Sequence, residues 1–487
     1  MKILMVASEA VPYIKTGGLG DVAGTLVLEL HKKGHDVVLV LPKHKAIDLD
    51  EVESEVKFSP FFVHMGNATL FAQVVKTELE GMPVYFIEYG EYFGRSPIYD
   101  DGKEGYPDNA ERFGFFSKAA LDLCVSLDFA PDVVHAADWQ TSMIPYYLKT
   151  WGYEGGFFNK TASVLTIHNL GYQGITPDLS CAPFVGLNWM QLRPDEFESF
   201  GGINFLKGGF FYADQITTVS PTYAKEILSE PGGCGLSSYL LRRQEDLTGI
   251  LNGIDTEEWN PSKDKLTPAT YSAEKMLGKA KCKEALQKEF GLDIDPSKPV
   301  FGVVSRLADQ KGFDLLHLII HQALSWDIQF VLLGSGNKEL EDFFRWLPSA
   351  YPGKCGSFIG FQPKLAHLIE AGADFFVMPS KYEPCGLNQM YSMAYGTLPI
   401  VRSTGGLADT VENYDPKTGA GTGFVFEDIT SGALRDTLGW ALDTWYNHPE
   451  DIAKMKKAAM SKDFSWGSAV GQYEEAYQKA MNRRLGW

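Results

Sequence analysis

The sequence predicts an α/β protein made of two doubly wound, Rossmann-like parallel-sheet domains facing a cleft, and three observations carry that reading. Short apolar runs alternate with helical segments along the whole chain, the pattern of repeated βαβ units. The hexad Thr-Gly-Gly-Leu-x-Asp occurs twice, at 16–21 and 404–409, each time after an apolar run and before a helical stretch. With 487 residues, the chain exceeds what one hydrophobic core serves, so two or more domains of roughly 100 to 250 residues are expected.

In the first half the expected strands are 2–7, 36–41, 84–88, 133–136, 163–168 and 215–219. In the second half they are 300–305, 329–334, 357–361, 374–379 and 398–402. The turn-rich passage Leu251-Asn-Gly-Ile-Asp255, followed by a polar stretch, marks the boundary. The expected domains are therefore 1–250 and 251–467. Near the end, Val470, Tyr473, Ala476, Tyr477 and Ala480 fall on one helical face, so 468–487 is expected to be a helix that packs on one of the two.

Composition narrows the partners. The formal net charge is −18, which disfavours nucleic acid and anionic membranes as broad partners. No apolar run approaches a membrane span of about 18 residues. The expected location is the cytoplasm, or a plastid stroma if a transit peptide has been removed. The six cysteines are scattered without metal-ligand spacing, so free thiols and no bound metal are expected. Gly18-Leu-Gly20-Asp-Val-Ala23 matches the dinucleotide pattern in letters only. It starts about ten residues past the first strand, and no carboxylate follows the second, which ends in Leu41-Pro-Lys43-His44.

The chemistry is expected at the carboxyl ends of the strands, where α/β sheets bind ligands. Lys15 with Gly17 and Gly18, and Arg402 near Thr404 and Gly405, could cradle phosphate at a helix start; the same glycines could simply turn strand into helix. Arg306 and Lys311, after strand 300–305, suit a diphosphate, although their position alone also fits surface cations. Glu383 could accept sugar hydroxyls or complement a helix dipole. His168 with Asn169, and His135 with Asp138, end two further strands.

Together these segments resemble the bacterial glycogen synthases and plant starch synthases. The resemblance rests on Lys15-Thr-Gly-Gly-Leu-Gly-Asp21, Thr166-Ile-His-Asn-Leu170, Ile203-Asn-Phe-Leu-Lys207, Gly233-Cys-Gly-Leu236 and Leu251-Asn-Gly-Ile-Asp255. It continues in Arg306-x4-Lys311-Gly, Glu383-Pro-Cys-Gly-Leu-x-Gln389, Ser403-Thr-Gly-Gly-Leu407 and Asp463-Phe-Ser-Trp466. One glycine loop is weak evidence; the ordered set, running nearly end to end, is specific.

The resemblance implies the GT-B fold, with the C-terminal helix crossing back to the first domain. It implies retaining transfer of glucose from ADP-glucose to the non-reducing 4-OH of an α-1,4-glucan, without a metal or other cofactor. The implied catalytic residues are Arg306, Lys311, Glu383 and His168. The implied donor-binding residues are Lys15, Gly17, Gly18, Asp21, Asp138, Asn169, Asn252, Phe361, Cys385, Gly386, Leu387, Thr404 and Gly405. Asp21 would orient Lys15 or the donor. Tyr391 stands where sucrose-synthase-type relatives carry a second glutamate, in agreement with the synthases. Three departures stand out: Gln140 replaces a frequent histidine, Ser380-Lys-Tyr-Glu383 replaces Ser-Arg-Phe-Glu, and Phe361 takes a frequent tyrosine position. Competing readings are a silent glucan-binding scaffold, a nucleotide-sugar epimerase and a phosphorylase.

Overall fold

The computed structural model describes residues 1–50, 53–102, 104–151 and 156–486. They form two compact units, Met1–Ile250 with Trp466–Trp487 and Leu251–Ser465.

The first unit is built on a sheet of β1 (Lys2–Val6), β2 (Asp36–Pro42), β3 (Ser54–His64), β4 (Thr69–Leu79), β5 (Met82–Glu88), β6 (Val133–Ala137) and β7 (Ala162–Ile167). A small sheet of β8 (Ile175–Thr176), β9 (Glu198–Ser199) and β10 (Gly202–Asn204) intervenes, and β11 (Gln215–Thr218) and β12 (Leu247–Gly249) complete the large one. Among the described residues the large sheet runs β12-β11-β7-β6-β1-β2-β5-β4-β3. It is parallel from β12 to β5, but β4 and β3 pair antiparallel, so the all-parallel expectation is corrected at this edge. The reason is visible in the strands. Ile3 to Val6 of β1 are all buried, as sheets covered on both faces require, whereas β4 alternates and includes several exposed residues.

The helix Trp466–Leu485 belongs to this unit. It buries Trp466, Ala469, Val470, Tyr473, Ala476, Tyr477 and Ala480 in the core that holds Ile3, Met5, Val133 and Val164. Its 3.6-residue apolar stripe makes that docking possible. Polar contacts fix its register: Glu474 pairs with Lys33 and His35, and the Tyr477 hydroxyl meets His135 Nδ1 at 2.9 Å. Trp487, the last residue of the expected helix, lies outside the described residues.

The second unit contains β13 (Val300–Leu307), β14 (Gln329–Gly336), β15 (Cys355–Ile359), β16 (Phe375–Met378), β17 (Leu398–Arg402) and β18 (Phe424–Phe426). All pairs are parallel, in the order β15-β14-β13-β16-β17-β18. Numbered along the unit, this is the 3-2-1-4-5-6 order of doubly wound dinucleotide folds, whose ligand crevice opens where the winding reverses. Here that point lies between β13 and β16. In the first unit the winding likewise reverses between β1 and β6.

Candidate active site

Both reversal points carry the residues singled out from the sequence. In the second unit, β13 runs two residues further than expected, so Arg306 is a strand residue, paired in register with Ser335. Its side chain is exposed and has no hydrogen-bonding or ionic partner among the described residues. Lys311 closes the short 3-10 turn Asp309–Lys311 just before the helix Phe313–Ser325. It is not a second free cation: its Nζ donates to Glu383 Oε2 at 2.6 Å, and Ser380 Oγ donates to the same oxygen at 2.9 Å. Glu383 is 5% exposed. The roles expected separately of Lys311 and Glu383 thus meet in one part-buried ion pair at the carboxyl ends of β13 and β16.

The loop after β16 is held from below. Gln389, fully buried in the helix Asn388–Ala394, donates from Nε2 to the carbonyls of Cys385 and Gly386, and Asn388 Nδ2 donates to Val304 O at 2.7 Å. The glycine loop 404–409 packs onto the loop after β16: the Gly406 N–H donates to Glu383 O, and Gly405 has φ +43. A Cβ at Gly405 would collide with the Glu383 carbonyl, so only glycine fits there. Thr404 is buried at the start of the helix Gly405–Thr410. Cys385 lies beneath the loop against Asn252, with burial pushing its thiol up to about 12, so it is a packing residue and not a thiolate.

Arg402 is a correction. Its guanidinium donates to the carbonyls of Ser380, Lys381, Ser403 and Glu427, which makes it a brace of the Glu383 loop and not an open anion ligand. Phe361 lies two residues beyond β15, because that strand ends at Ile359, earlier than expected. Its ring is 77% exposed, free to stack on a planar group. Tyr391 is buried and stacks on Trp259 with ring centroids 3.8 Å apart, which leaves no carboxylate at that position.

In the first unit, Lys15 Nζ pairs with Asp21 Oδ1 at 2.8 Å, the orienting contact expected of Asp21. Gly17 caps the helix Gly18–Lys32, whose first N–H groups point out of its N-terminus. The Gly17 N–H is not free for an anion, because it donates to Glu9. Glu9 escaped the sequence reading. Nearly buried, it also accepts from Thr16 N and Oγ1 and from the Tyr99 hydroxyl, so one carboxylate shapes the whole Lys15–Gly18 loop. The available signal was an acid set directly after the apolar run of β1, where only a satisfied carboxylate survives burial.

Asp138, directly after β6, adopts φ +56, rare for a non-glycine residue and costly unless the surroundings enforce it. Its Oδ1 accepts from the His168 N–H at 2.7 Å and the Asn169 N–H at 3.3 Å, tying the ends of β6 and β7 together. Burial, with Glu9 nearby, pushes its carboxyl up to about 7. His168 is the first residue past β7, which lies one residue earlier than expected. Its imidazole has no hydrogen-bond partner among the described residues, and burial lowers its pKa to about 3, so it is neutral. Asn169 spends its Oδ1 on the Gly171 N–H at 2.9 Å, leaving its amide nitrogen as the outward group. His135 is structural: buried, it joins Thr166 on β7 to Tyr477 on the terminal helix. Gln140 is buried, and its Oε1 has no hydrogen-bond partner among the described residues.

The amino-acid sequence matches the family model described as starch synthase catalytic domain over residues 2–242 and that for glycosyl transferases group 1 over 286–461. It is 44% identical to glycogen synthase 1 of Geobacter metallireducens, covering 100% of this chain and 97% of that protein. It is equally 44% identical to the glycogen synthase of Treponema denticola, over 99% of both chains. The chain belongs to the glycogen and starch synthase family. The solved catalytic domain of starch synthase IV from Arabidopsis thaliana, bound to ADP and acarbose, superposes with a TM-score of 0.91 at 34% identity, covering 99% of each chain. Sucrose-phosphate synthase from Thermosynechococcus elongatus shares the fold, with a TM-score of 0.60 at 16% identity and 98% coverage of each chain. The fold is thus the GT-B arrangement of α/β units with parallel sheets. No helix among the described residues is long and apolar enough to cross a membrane.

Proposed function

We propose that this member of the glycogen and starch synthase family transfers glucose from ADP-glucose to the non-reducing 4-OH of an α-1,4-glucan, with retention of configuration. The observation that carries the proposal is the exposed, unpartnered Arg306 beside the Lys311–Glu383 pair at the winding reversal of the second unit, the place where a doubly wound sheet receives a nucleotide diphosphate. The 34% identical starch synthase IV domain, solved with ADP and acarbose, supports the same class of ligands.

In this reading Arg306 and Lys311 neutralise the leaving diphosphate, and Phe361 stacks on the adenine. The bond from glucose C1 to the phosphate oxygen breaks as the acceptor O4 bonds to C1 on the same face. The acceptor proton passes to the departing phosphate, so no enzymic nucleophile is needed. Glu383 takes sugar hydroxyls while it holds Lys311. Asn252, Cys385, Gly386, Leu387, Thr404 and Gly405 form the floor of the donor site. Lys15, with the helix start at Gly18 and oriented by Asp21, serves the phosphates, and Asp138, His168 and Asn169 serve the glucose. The charge stabilisation comes from fixed side-chain cations, which makes the reaction metal-independent in this proposal. With bacterial glycogen synthases as relatives, we place the protein in the cytoplasm.

Incubation of the purified protein with labelled ADP-glucose and glycogen tests the reading. Elongated glucan, insensitive to EDTA and faster with ADP-glucose than with UDP-glucose, is expected. No turnover, release of an altered free sugar, or activity that EDTA abolishes and Mg²⁺ restores would overturn it.

A further inference from the structure

One aromatic side chain in the first unit serves no packing purpose. The small sheet β8-β10-β9 grows out of the loop that carries His168: Gln173 receives the Leu206 N–H and the Asn204 amide, and Gly174 receives the Phe205 N–H. Its hairpin, β9 to β10, turns through two residues, Phe200 and Gly201, with φ of +50 and +84. A two-residue turn with both φ positive is favourable for Asn-Gly or Asp-Gly and strained for a bulky residue in the first place. Phe200 nevertheless occupies it, at 106% exposure, with its ring wholly in solvent. The fold gains nothing from that ring: the turn would be better served by Asn, and no core residue touches it. Strain and exposure of this kind at one position point to use by a ligand.

We infer that Phe200 is a stacking platform for the acceptor glucan, an α-linked oligoglucoside whose pyranose ring lays its apolar C–H face on the phenyl face. This rests on the proposed transferase reading, and it names a residue for the acceptor side that the reaction itself does not require. The surroundings suit a sugar. Tyr172 and Ile175, on the segment leading from His168 into β8, are also exposed, at 51% and 59%, and Ile175 pairs in register with Asn204 of β10, the strand that follows the Phe200 turn. A second copy of this chain fits less well: a stable dimer buries about 800 Å² per partner, more than one ring and its few neighbours provide, whereas one ring covers one pyranose face. The hairpin is continuous through β8 with the His168 loop, so a glucan whose end is at the reacting site can reach the platform with units further along its chain.

Phe200→Asn separates function from folding, because Asn-Gly is the better turn and the variant is expected to melt no lower than the wild type. With saturating ADP-glucose, we expect KM for glycogen and for maltohexaose to rise by about fivefold, the loss of one aromatic contact, with the donor KM unmoved. Phe200→Trp, which keeps a ring, restores the acceptor KM. An unchanged acceptor KM in Phe200→Asn, a rise confined to the donor KM, or a shift in molar mass by light scattering, which would make the ring a self-association contact, overturns the inference. If the wild type transfers no glucose at all, the transferase reading falls, and calorimetric titration with maltohexaose still decides this one: binding that Phe200→Asn weakens supports the platform, and equal or absent binding refutes it.

Discussion

Arg306→Ala isolates the charge effect better than any other substitution in the second unit. The side chain is exposed and has no partner among the described residues, so its removal leaves no buried group unsatisfied, and stability should stay within about 0.5 kcal/mol of the wild type. Its effect on the barrier follows from Coulomb's law. For a guanidinium about 4 Å from the departing oxygen at an effective dielectric near 20, one unit of developing charge is worth about 4 kcal/mol, and half a unit about 2. That range agrees with the loss of one preorganised donor in other enzymes and corresponds to a fall in kcat of about 30- to 900-fold. The exposure of Arg306 favours the lower end. Steady-state release of ADP at varied ADP-glucose, with thermal melts on the same preparation, reads both quantities. A rise in donor KM with kcat intact would show that Arg306 only anchors the ground state, and a melt lowered in proportion to activity would show that it acts on the fold.

The remaining predictions concern Lys311 and Glu383 of the second unit and Asp138 and His168 of the first. Lys311→Met strands the Glu383 carboxylate, and because Lys311 retains 19% side-chain exposure the expected destabilisation, about 2 to 3 kcal/mol in urea unfolding, falls below the ~3–5 kcal/mol of a fully buried pair; an unchanged midpoint would mean the pair contributes nothing to the fold. Glu383→Gln removes a negative charge from the proposed donor site, so calorimetric ADP affinity should hold or rise while kcat falls; parallel losses in both would deny Glu383 a role at the sugar. The Asp138 carboxyl is raised from its ordinary range to about 7, so the folded state keeps a proton that the unfolded chain has already lost: its contribution is whole below about pH 4 and is lost as pH rises through 7. Asp138→Asn cannot ionise, so its stability relative to wild type should improve steadily from pH 4 to 7; a flat difference contradicts the raised pKa. His168, lowered to about 3, should show no titration of its ring protons between pH 5 and 8 by NMR, and an inflection near 6.5 would refute its neutral state.

The strand framework was legible because strands buried on both faces are continuous apolar runs: β17 falls on 398–402 as expected, and the other expected strands are displaced by only a few residues at their ends. β3 and β4 were not, because a half-exposed antiparallel hairpin alternates polar and apolar residues and resembles a surface segment until its partner is known. The Arg306, Lys311 and Glu383 motifs were legible as chemistry, yet their pairing was not, since Lys311 and Glu383 meet only once β13 and β16 lie side by side. The same distance in sequence hid Tyr99 from Glu9 and Tyr477 from His135. Sequence spacing reveals which residue types stand at strand ends, but neutralisation is decided by which strand ends become neighbours.

That distinction bears on how Arg306 and Lys311 would divide their work in the proposed reaction. A fully unpaired Arg and Lys at one crevice would repel each other and would bind any phosphate ion indiscriminately. With Lys311 tied to Glu383 and Arg306 left open, the proposed site presents, among the described residues at the ends of β13 and β16, Arg306 as an uncompensated positive charge, which would attract a diphosphate without a strong like-charge penalty. Lys311 is already oriented by the short turn before the helix Phe313–Ser325, so in the proposed reaction it would have little to reorganise as negative charge grows on the leaving oxygen. In the proposed reaction a pre-aimed, pre-paired lysine beside an open arginine would therefore give its largest stabilisation in the transition state, the only place where binding energy becomes rate.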